Sequence, residues 1–213
     1  MSLASSEVAH AQIERHDLRL FLEGGMLTWS KTTIEYEGGS DFKATGTALG
    51  VGPLTSGGLG VGFAVTRFLI PTLSFSMQRV KLETEGTTAQ DLRVWELRPT
   101  LEVALLPTIR FVPFVSAGMS VMGSVDKDAA PPEFEDAGEP RDVKRHGYGP
   151  VLQAGLHTFV LEHASLDLSL AYRALFNFMS TTPVTTEEGD LAVPSGGVVH
   201  SLLLNLAASF WLL

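Results

Sequence analysis

Residues 165–178 read SLDLSLAYRALFNF, with apolar residues at every second position. Strict alternation predicts a β-strand, because successive side chains of a strand point to opposite faces of the sheet. This run of 14 residues is about twice as long as a usual strand of a soluble protein. One face carries Leu166, Leu168, Leu170, Tyr172, Ala174, Phe176 and Phe178, and the other carries Ser165, Asp167, Ser169, Ala171, Arg173, Leu175 and Asn177. The fold therefore has to accommodate long strands with one apolar face.

Composition narrows the class of protein. The chain has 213 residues, of which 45% are hydrophobic and only 18% charged, a length that fits one all-β domain. The absence of cysteine excludes a disulfide framework, thiol catalysis and thiolate zinc sites. A net charge of −9 argues against nucleic-acid binding, which needs a basic surface. The mean hydropathy of +0.18 is high for a soluble protein, so the apolar residues need surroundings other than an ordinary core.

Two charge-free stretches are too interrupted to predict a transmembrane helix. Residues 191–213 contain Pro194 and Gly196, and residues 44–66 contain Pro53 and seven glycines. A spanning helix needs about 20 predominantly apolar residues, and both glycine and proline disfavour a helix interior. The apolar residues are therefore predicted to lie in strands.

Alternation recurs along the chain and predicts eight strands. The second of them is interrupted by Pro53 and by the glycines that follow it. The approximate ranges are 17–30, 44–66, 71–84, 91–106, 109–125, 147–161, 164–179 and 197–213.

The connections between these strands alternate in length. Short ones are predicted near 67–71, 106–108 and 162–164, and longer polar ones at 31–43, 85–90, 126–146 and 180–196. This order is typical of an up-and-down meander whose two ends face different environments. An even strand count, one apolar face and this asymmetry together favour a membrane-spanning β-barrel. The strands are long enough, because about 9–11 tilted residues cross the hydrocarbon.

With these features the chain resembles the small eight-stranded outer-membrane barrels of Gram-negative bacteria, the OmpA- and OmpX-like group. The resemblance covers residues 17–213 and includes a glycine-rich opening, FLEGG at 21–25. That family usually ends on an aromatic residue, whereas this chain ends FWLL at 210–213. The resemblance implies an all-β, eight-stranded, antiparallel, up-and-down transmembrane barrel in the outer membrane. Aromatic residues expected in interfacial girdles are Trp29, Trp95, Tyr148, Tyr172, Phe178 and Trp211.

Residues 1–16 are expected to form a separate N-terminal segment. Within it, Ala9 and Ala11 have the small-x-small spacing at which secretory signals are cleaved, so the segment is interpreted as the remnant of a signal-peptide region. The barrel domain is expected over residues 17–213.

The inward faces of the predicted strands collect seven charged residues. An eight-stranded barrel encloses a lumen that side chains can fill, and buried charges persist only when they are paired and hydrogen-bonded. A salt-bridged plug is therefore favoured over a polar channel or a catalytic carboxylate pair. The predicted interior charge network is Arg19, Glu23, Glu96, Arg98, Glu102, Asp167 and Arg173.

No enzymatic site is expected from the histidines and serines. His200 and Ser201 are adjacent and therefore point to opposite faces of a strand, which prevents a base–nucleophile contact. His157 lies on the inward face beside Gln153 and is interpreted as a satisfied polar interior residue. No Ser/His/acid set on one face is evident, and no calcium-loop spacing occurs in the acidic stretch 126–146. Catalytic residues, metal ligands and cofactors are accordingly expected to be absent.

The predicted function is that of a monomeric outer-membrane barrel without an open pore, with a structural or surface-interaction role through its extracellular loops. Outer-membrane lipid, lipopolysaccharide and a protein partner at the loops are the expected contacts. One alternative is a soluble lipocalin-like barrel that binds a small hydrophobic ligand, and another is a narrow exporter of hydrophobic molecules. The polar faces are rich in Gly, Ser, Ala and Thr, which suits a crowded lumen better than a wetted exterior.

Overall fold

The computed structural model describes residues 13–36, 43–49, 56–83, 90–107, 109–129, 141–186 and 189–212. All regular structure in these ranges is β-strand. These ranges contain no helix that is long and apolar enough to span a membrane. The strands are β1 (Leu18–Tyr36), β2 (Lys43–Leu49), β3 (Ser56–Phe63), β4 (Leu69–Glu83), β5 (Gln90–Ala104), β6 (Phe111–Ala129), β7 (Arg141–Leu161), β8 (Ala164–Thr186) and β9 (Gly189–Leu212).

The sheet closes on itself into a barrel. Each strand pairs antiparallel with its neighbours, and β1 pairs with β9 from Leu18↔Leu212 to Tyr36↔Ser195. β2 and β3 occupy one barrel position in succession, because β1 and β4 each pair with both of them. The nine strands thus fill eight positions, and the predicted eight-stranded, antiparallel, up-and-down barrel is confirmed.

The two ends of the barrel differ. The connections 64–68, 105–110 and 162–163 are short and lie at one end, where β1 begins and β9 ends. We call this the short-turn end and the opposite one the long-connection end.

Several strands continue into stretches that the sequence assigns to loops. β8 and β9 stay paired from Ser180↔Ser195 to Thr186↔Gly189, so the predicted loop 180–196 is wrong. β6 and β7 likewise pair inside the predicted loop 126–146, and residues 130–140 of that loop lie outside the described ranges. The physical reason is that a backbone ladder needs no apolar face, and Thr and Val favour extended structure.

The barrel wall has its apolar face on the outside and its polar face on the inside, the reverse of a soluble barrel. Leu168 is 52% exposed and Leu206 is 60% exposed on the outside, whereas Asp167 and Arg173 are buried inside. The same alternation runs along most of the described part of β1 and β3 to β9, and Ala174 is an exception, since it lies in the outward phase of β8 but is buried. The polar face thus surrounds the barrel axis, as the alternation predicts, and the apolar face forms a continuous outer belt.

The lumen and its ion-pair clusters

The lumen holds all seven residues of the predicted charge network. They come from inward positions of β1, β5 and β8, and each forms an ion pair. We distinguish the Arg19 cluster (Arg19, Glu102, His157, Asp167), the Arg98 pair (Arg98, Glu23) and the Arg173 cluster (Arg173, Glu96, Gln78, Ser120, Ser201).

The Arg19 cluster joins four strands of the wall, β1, β5, β7 and β8. Arg19 Nη1 lies 3.0 Å from Glu102 Oε2 and Nη2 lies 2.7 Å from Asp167 Oδ2, while Nε donates to Ser209 Oγ at 3.0 Å. The guanidinium also lies 5.3 Å from the ring centroid of Trp211, within the range of a cation–π contact. The geometry therefore gives Arg19 two anionic partners and an aromatic neighbour in a space closed to solvent.

His157, which the sequence places on the inward face as a polar interior residue, is a further member of this cluster that the predicted charge network does not include. Its fully buried ring lies between two carboxylates: Nε2 is 2.9 Å from Glu102 Oε1, and Nδ1 is 2.8 Å from Asp167 Oδ1. The Nδ1 contact has ion-pair distance but is too oblique for a hydrogen bond. Ionised carboxylates only accept, so we expect a ring that lies between two of them to carry a proton on both nitrogens. His157 and Asp167 are directly opposite each other on β7 and β8, so the register of these two strands sets this contact.

With His157 protonated, the ion-paired groups of the described lumen are balanced in charge. The cations are Arg19, Arg98, Arg173 and His157, and the carboxylates are Glu23, Glu96, Glu102 and Asp167. Asp17, just before β1, is a further buried carboxylate and accepts a hydrogen bond from the Glu14 N–H. Balance matters here because an unpaired charge in a poorly hydrated interior costs several kcal/mol.

The Arg98 pair and the Arg173 cluster continue the network toward the long-connection end. Arg98 Nη2 lies 2.6 Å from Glu23 Oε2. Arg173 Nη1 lies 2.7 Å from Glu96 Oε2, and its Nε donates to Ser201 Oγ at 2.5 Å. Glu96 also accepts from Ser120 Oγ at 2.6 Å and from Gln78 Nε2 at 2.8 Å, so both of its oxygens are occupied.

Apolar layers border the charges on both sides. At the short-turn end the layer consists of Ile13, Ala64, Ile70, Ala104, Val112, Phe159 and Trp211. Toward the long-connection end it consists of Val94, Met122 and Leu175, with Val199 packed against them. The cavity between the charged side chains measures about 30 Å³, room for about one or two water molecules. Among the described side chains the lumen does not provide the apolar ligand cavity of a few hundred Å³ that the lipocalin-like alternative requires.

The predicted aromatic girdle is wrong for one of its residues, Trp211. Trp95, Tyr148 and Tyr172 are exposed on the outer wall, but Trp211 is buried in the lumen, where its Nε1 donates to Ser165 Oγ at 3.1 Å. The phase of β9 places Trp211 with Ser209 and Asn205, on the polar face. The side chains of Trp29 and Phe178 lie outside the described part of the structure.

The lumen also brings a serine, a histidine and an aspartate onto one face, contrary to the expectation. Ser165 Oγ donates to Asp167 Oδ1 at 2.8 Å, and Ser209 Oγ donates to Asp167 Oδ2. Both nitrogens of His157 face carboxylates, however, so the ring is not arranged to take a proton from a serine hydroxyl. His200 and Ser201 point to opposite faces as predicted, and His200 Nδ1 lies 2.8 Å from Tyr172 Oη on the outside.

Among the described residues, no group of three or more His, Asp or Glu side chains is arranged so that it could hold a metal ion. The titratable groups of the Arg19 cluster are instead all directed at one another. Their arrangement stabilises a closed interior rather than positioning a reactive atom.

Comparison with known proteins gives the fold independent support. No protein-family model and no curated protein matches the chain. Among solved structures, the outer membrane protein OprG from Pseudomonas aeruginosa superposes with a TM-score of 0.67 at 11% identity, over 95% of this chain and 98% of that one. Outer membrane protein AlkL, determined in DMPC lipid bilayers, gives a TM-score of 0.57 at 14% identity, over 99% of this chain and 95% of that one. The chain therefore has the fold of the small eight-stranded outer-membrane β-barrels.

Proposed function

We propose that this protein is a monomeric, integral outer-membrane protein of a Gram-negative bacterium whose barrel does not conduct ions. The observation that carries the proposal is the filling of the lumen: charges are paired with one another across the barrel, and an apolar layer lies on either side of them. An ion moving along the axis would have to break these pairs and pass both apolar layers, at a cost of several kcal/mol for each buried charge left unpaired.

The outer wall supports the membrane part of the proposal. Leucine, valine and aromatic side chains face outward on consecutive strands, and Met77 and Leu59 are at least 60% exposed. Exposure of this belt to water would be costly. A closed barrel satisfies every strand edge, which is what a bilayer requires of a spanning β-structure.

A role for the long-connection end follows from the closed lumen. With no passage through the axis, outer-membrane lipid and lipopolysaccharide at the wall and a protein partner at the long connections are the contacts that remain. We therefore assign the protein a structural or surface-interaction role and no catalytic one. No described feature favours the alternative of a hydrophobic-molecule exporter.

Planar-bilayer recording tests the closed lumen. The purified full chain should insert without producing a steady conductance. Heat-modifiable gel mobility shows in parallel that the inserted protein is a folded barrel. Reproducible ion-selective channels that disappear in Arg98→Ala or Arg173→Ala, with folding retained, would refute the plug.

Partition tests the membrane location separately. The chain should require detergent or lipid to remain monodisperse. Full solubility at high concentration in plain buffer would contradict the location whatever the conductance.

A further inference from the structure

A short segment before β1 crosses the short-turn end of the barrel. Residues 13–17 form this segment, which we call the strap. Ile13 N–H donates to the carbonyl of Pro107, between β5 and β6, at 3.1 Å, and His16 N–H donates to the carbonyl of Ala64, directly after β3, at 2.7 Å. Because these two attachments lie on different connections of the barrel, the strap runs across the mouth rather than along the wall.

Ile13 fills part of the apolar layer at this end. Its side chain is 2% exposed. The other members of the described layer belong to strands or directly follow one, and they are Ala64, Ile70, Ala104, Val112, Phe159 and Trp211. In this layer Ile13 alone is supplied from outside the wall. Ser165 connects the layer to the Arg19 cluster, because it accepts a hydrogen bond from Trp211 Nε1 at 3.1 Å and donates one to Asp167 Oδ1 at 2.8 Å.

The strap is attached more weakly than the strands around it. From its first residue β1 is paired with both β3 and β9, whereas three described backbone hydrogen bonds join the strap to the barrel, two of them to Ala64. Glu14 N–H donates within the strap, to Asp17 Oδ2 at 2.7 Å, so the turn can keep its shape without the barrel. His16 has a φ of 79°, a left-handed conformation that residues with a Cβ rarely adopt. Few contacts and a strained residue are typical of segments that detach locally while the strand ladders stay intact.

A groove that is open to solvent lies against the strap. Its volume is about 410 Å³, and it is lined by Ile13, Glu14, Arg15, Thr66, Arg67 and Phe68. The side chains of Glu14 and Arg15 are exposed, so the strap has room to move outward.

We propose that Ile13 is a displaceable stopper of the short-turn end, and that its withdrawal opens the lumen to solvent as far as the Arg19 cluster. The proposal rests on the proposed closed barrel and assigns the closure of this end to the strap instead of the wall. Burial of the isoleucine side chain holds the strap in place, because moving it into water exposes apolar surface. The strap supplies no partner to the described ion pairs, so these pairs, and with them the block to ions, remain when Ile13 leaves.

Cysteine labelling of the full chain in detergent micelles tests the stopper, since the chain has no cysteine of its own. Ser165→Cys is the reporter, and the probe is a small water-soluble methanethiosulfonate. The test variant adds Ile13→Gly, and the matched control adds Arg15→Gly, which places the same flexible residue in the strap but removes an exposed side chain. We expect Ile13→Gly to accelerate labelling at least about tenfold, because the strap loses its buried side chain. Arg15→Gly, and Ile13→Leu, which keeps an apolar stopper, should label as slowly as the reporter alone.

Equally slow labelling with Ile13→Gly and with the native strap would overturn the inference, and so would equal acceleration by Arg15→Gly. A second reporter, Ser120→Cys, lies in the Arg173 cluster and should stay protected in every variant. Rapid labelling of this second reporter with Ile13→Gly would show that the whole barrel had opened, which would also overturn the stopper. Planar-bilayer recording separates this inference from the proposed function. A steady conductance of the wild type refutes the closed barrel, whereas rapid labelling of Ser165→Cys by a variant that stays silent supports the stopper.

Discussion

Arg173 shows what a single residue contributes inside this barrel. It neutralises Glu96 and hydrogen-bonds Ser201, which lies directly opposite it on β9. Arg173→Ala leaves the Glu96 carboxylate buried without its cation, and we expect the free energy of unfolding to fall by about 3–5 kcal/mol at neutral pH. At acidic pH the unpaired carboxylate of the variant can take up a proton, so the loss should be smaller there.

Urea unfolding in lipid vesicles at neutral and acidic pH measures this difference. Arg173→Ala/Glu96→Gln, which removes both charges, should recover part of the stability. A loss that is the same at both pH values, and is not reduced in the double variant, would contradict an electrostatic role.

His157 gives a second prediction at the scale of the residue. Because its two ring nitrogens face Glu102 and Asp167, we expect the ring to be doubly protonated at neutral pH. Nitrogen-15 NMR of the histidine side chains in detergent micelles measures the state of each nitrogen. His163, exposed in the turn between β7 and β8, gives a comparison signal from a solvent-exposed ring. A neutral tautomer at His157 would leave the ion-paired groups of the lumen with one uncompensated negative charge and would contradict this assignment.

At the scale of the strand, the outward leucines of β8 and β9 define the apolar belt. Leu168 and Leu206 are directly opposite each other and strongly exposed. An arginine at either position would enter the hydrocarbon, and we expect the free energy of unfolding to fall by about 2–4 kcal/mol. Leu161→Arg, at the end of β7 and 70% exposed, is the matched control and should cost only about 0–1 kcal/mol. Unchanged denaturation midpoints in both belt variants would refute the assignment of faces.

The glycines of β3 show how one strand makes room for its neighbour. Gly60 lies directly opposite Phe21 of β1, and a Cβ at Gly60 would lie only 2.1 Å from Cζ of the Phe21 ring. Gly60→Ala should therefore lower the free energy of unfolding by about 1–3 kcal/mol through overpacking. Gly57→Ala, in the same strand with open space around its Cβ position, should be neutral or slightly stabilising. Equal effects of the two substitutions on unfolding would show that the Phe21 contact has no energetic role.

At the scale of the whole molecule, the barrel has a direction. β1 begins and β9 ends at the short-turn end, which we expect to face the periplasm, with the long connections outside the cell. Protease added to intact cells should therefore cleave within residues 130–140. An epitope tag in the 162–163 turn, at the other end, should stay inaccessible until the envelope is permeabilised. Cleavage at 130–140 only after permeabilisation would reverse the orientation.

Much of this architecture follows from the sequence alone. The alternation at residues 165–178 predicts both the strand and its faces, because in a β-strand the backbone itself directs successive side chains to opposite sides. For the same reason the alternation is sufficient to assign Arg19, Glu96 and Arg173 to the inward face. Strand ends are predicted less well, since the apolar pattern stops where the membrane stops and the backbone ladder continues.

Only the tertiary structure decided which charges meet. Arg19 pairs with Glu102 and Asp167, which are 83 and 148 residues away in the chain. The closure of the sheet and the stagger of its strands decide which of these side chains come into contact. Neither feature can be predicted from the local periodicity of the sequence. His157 joins the Arg19 cluster and Trp211 joins the apolar layer at the short-turn end for the same reason. A face can be predicted from one strand, but a partner across the lumen depends on the register of all the strands between them.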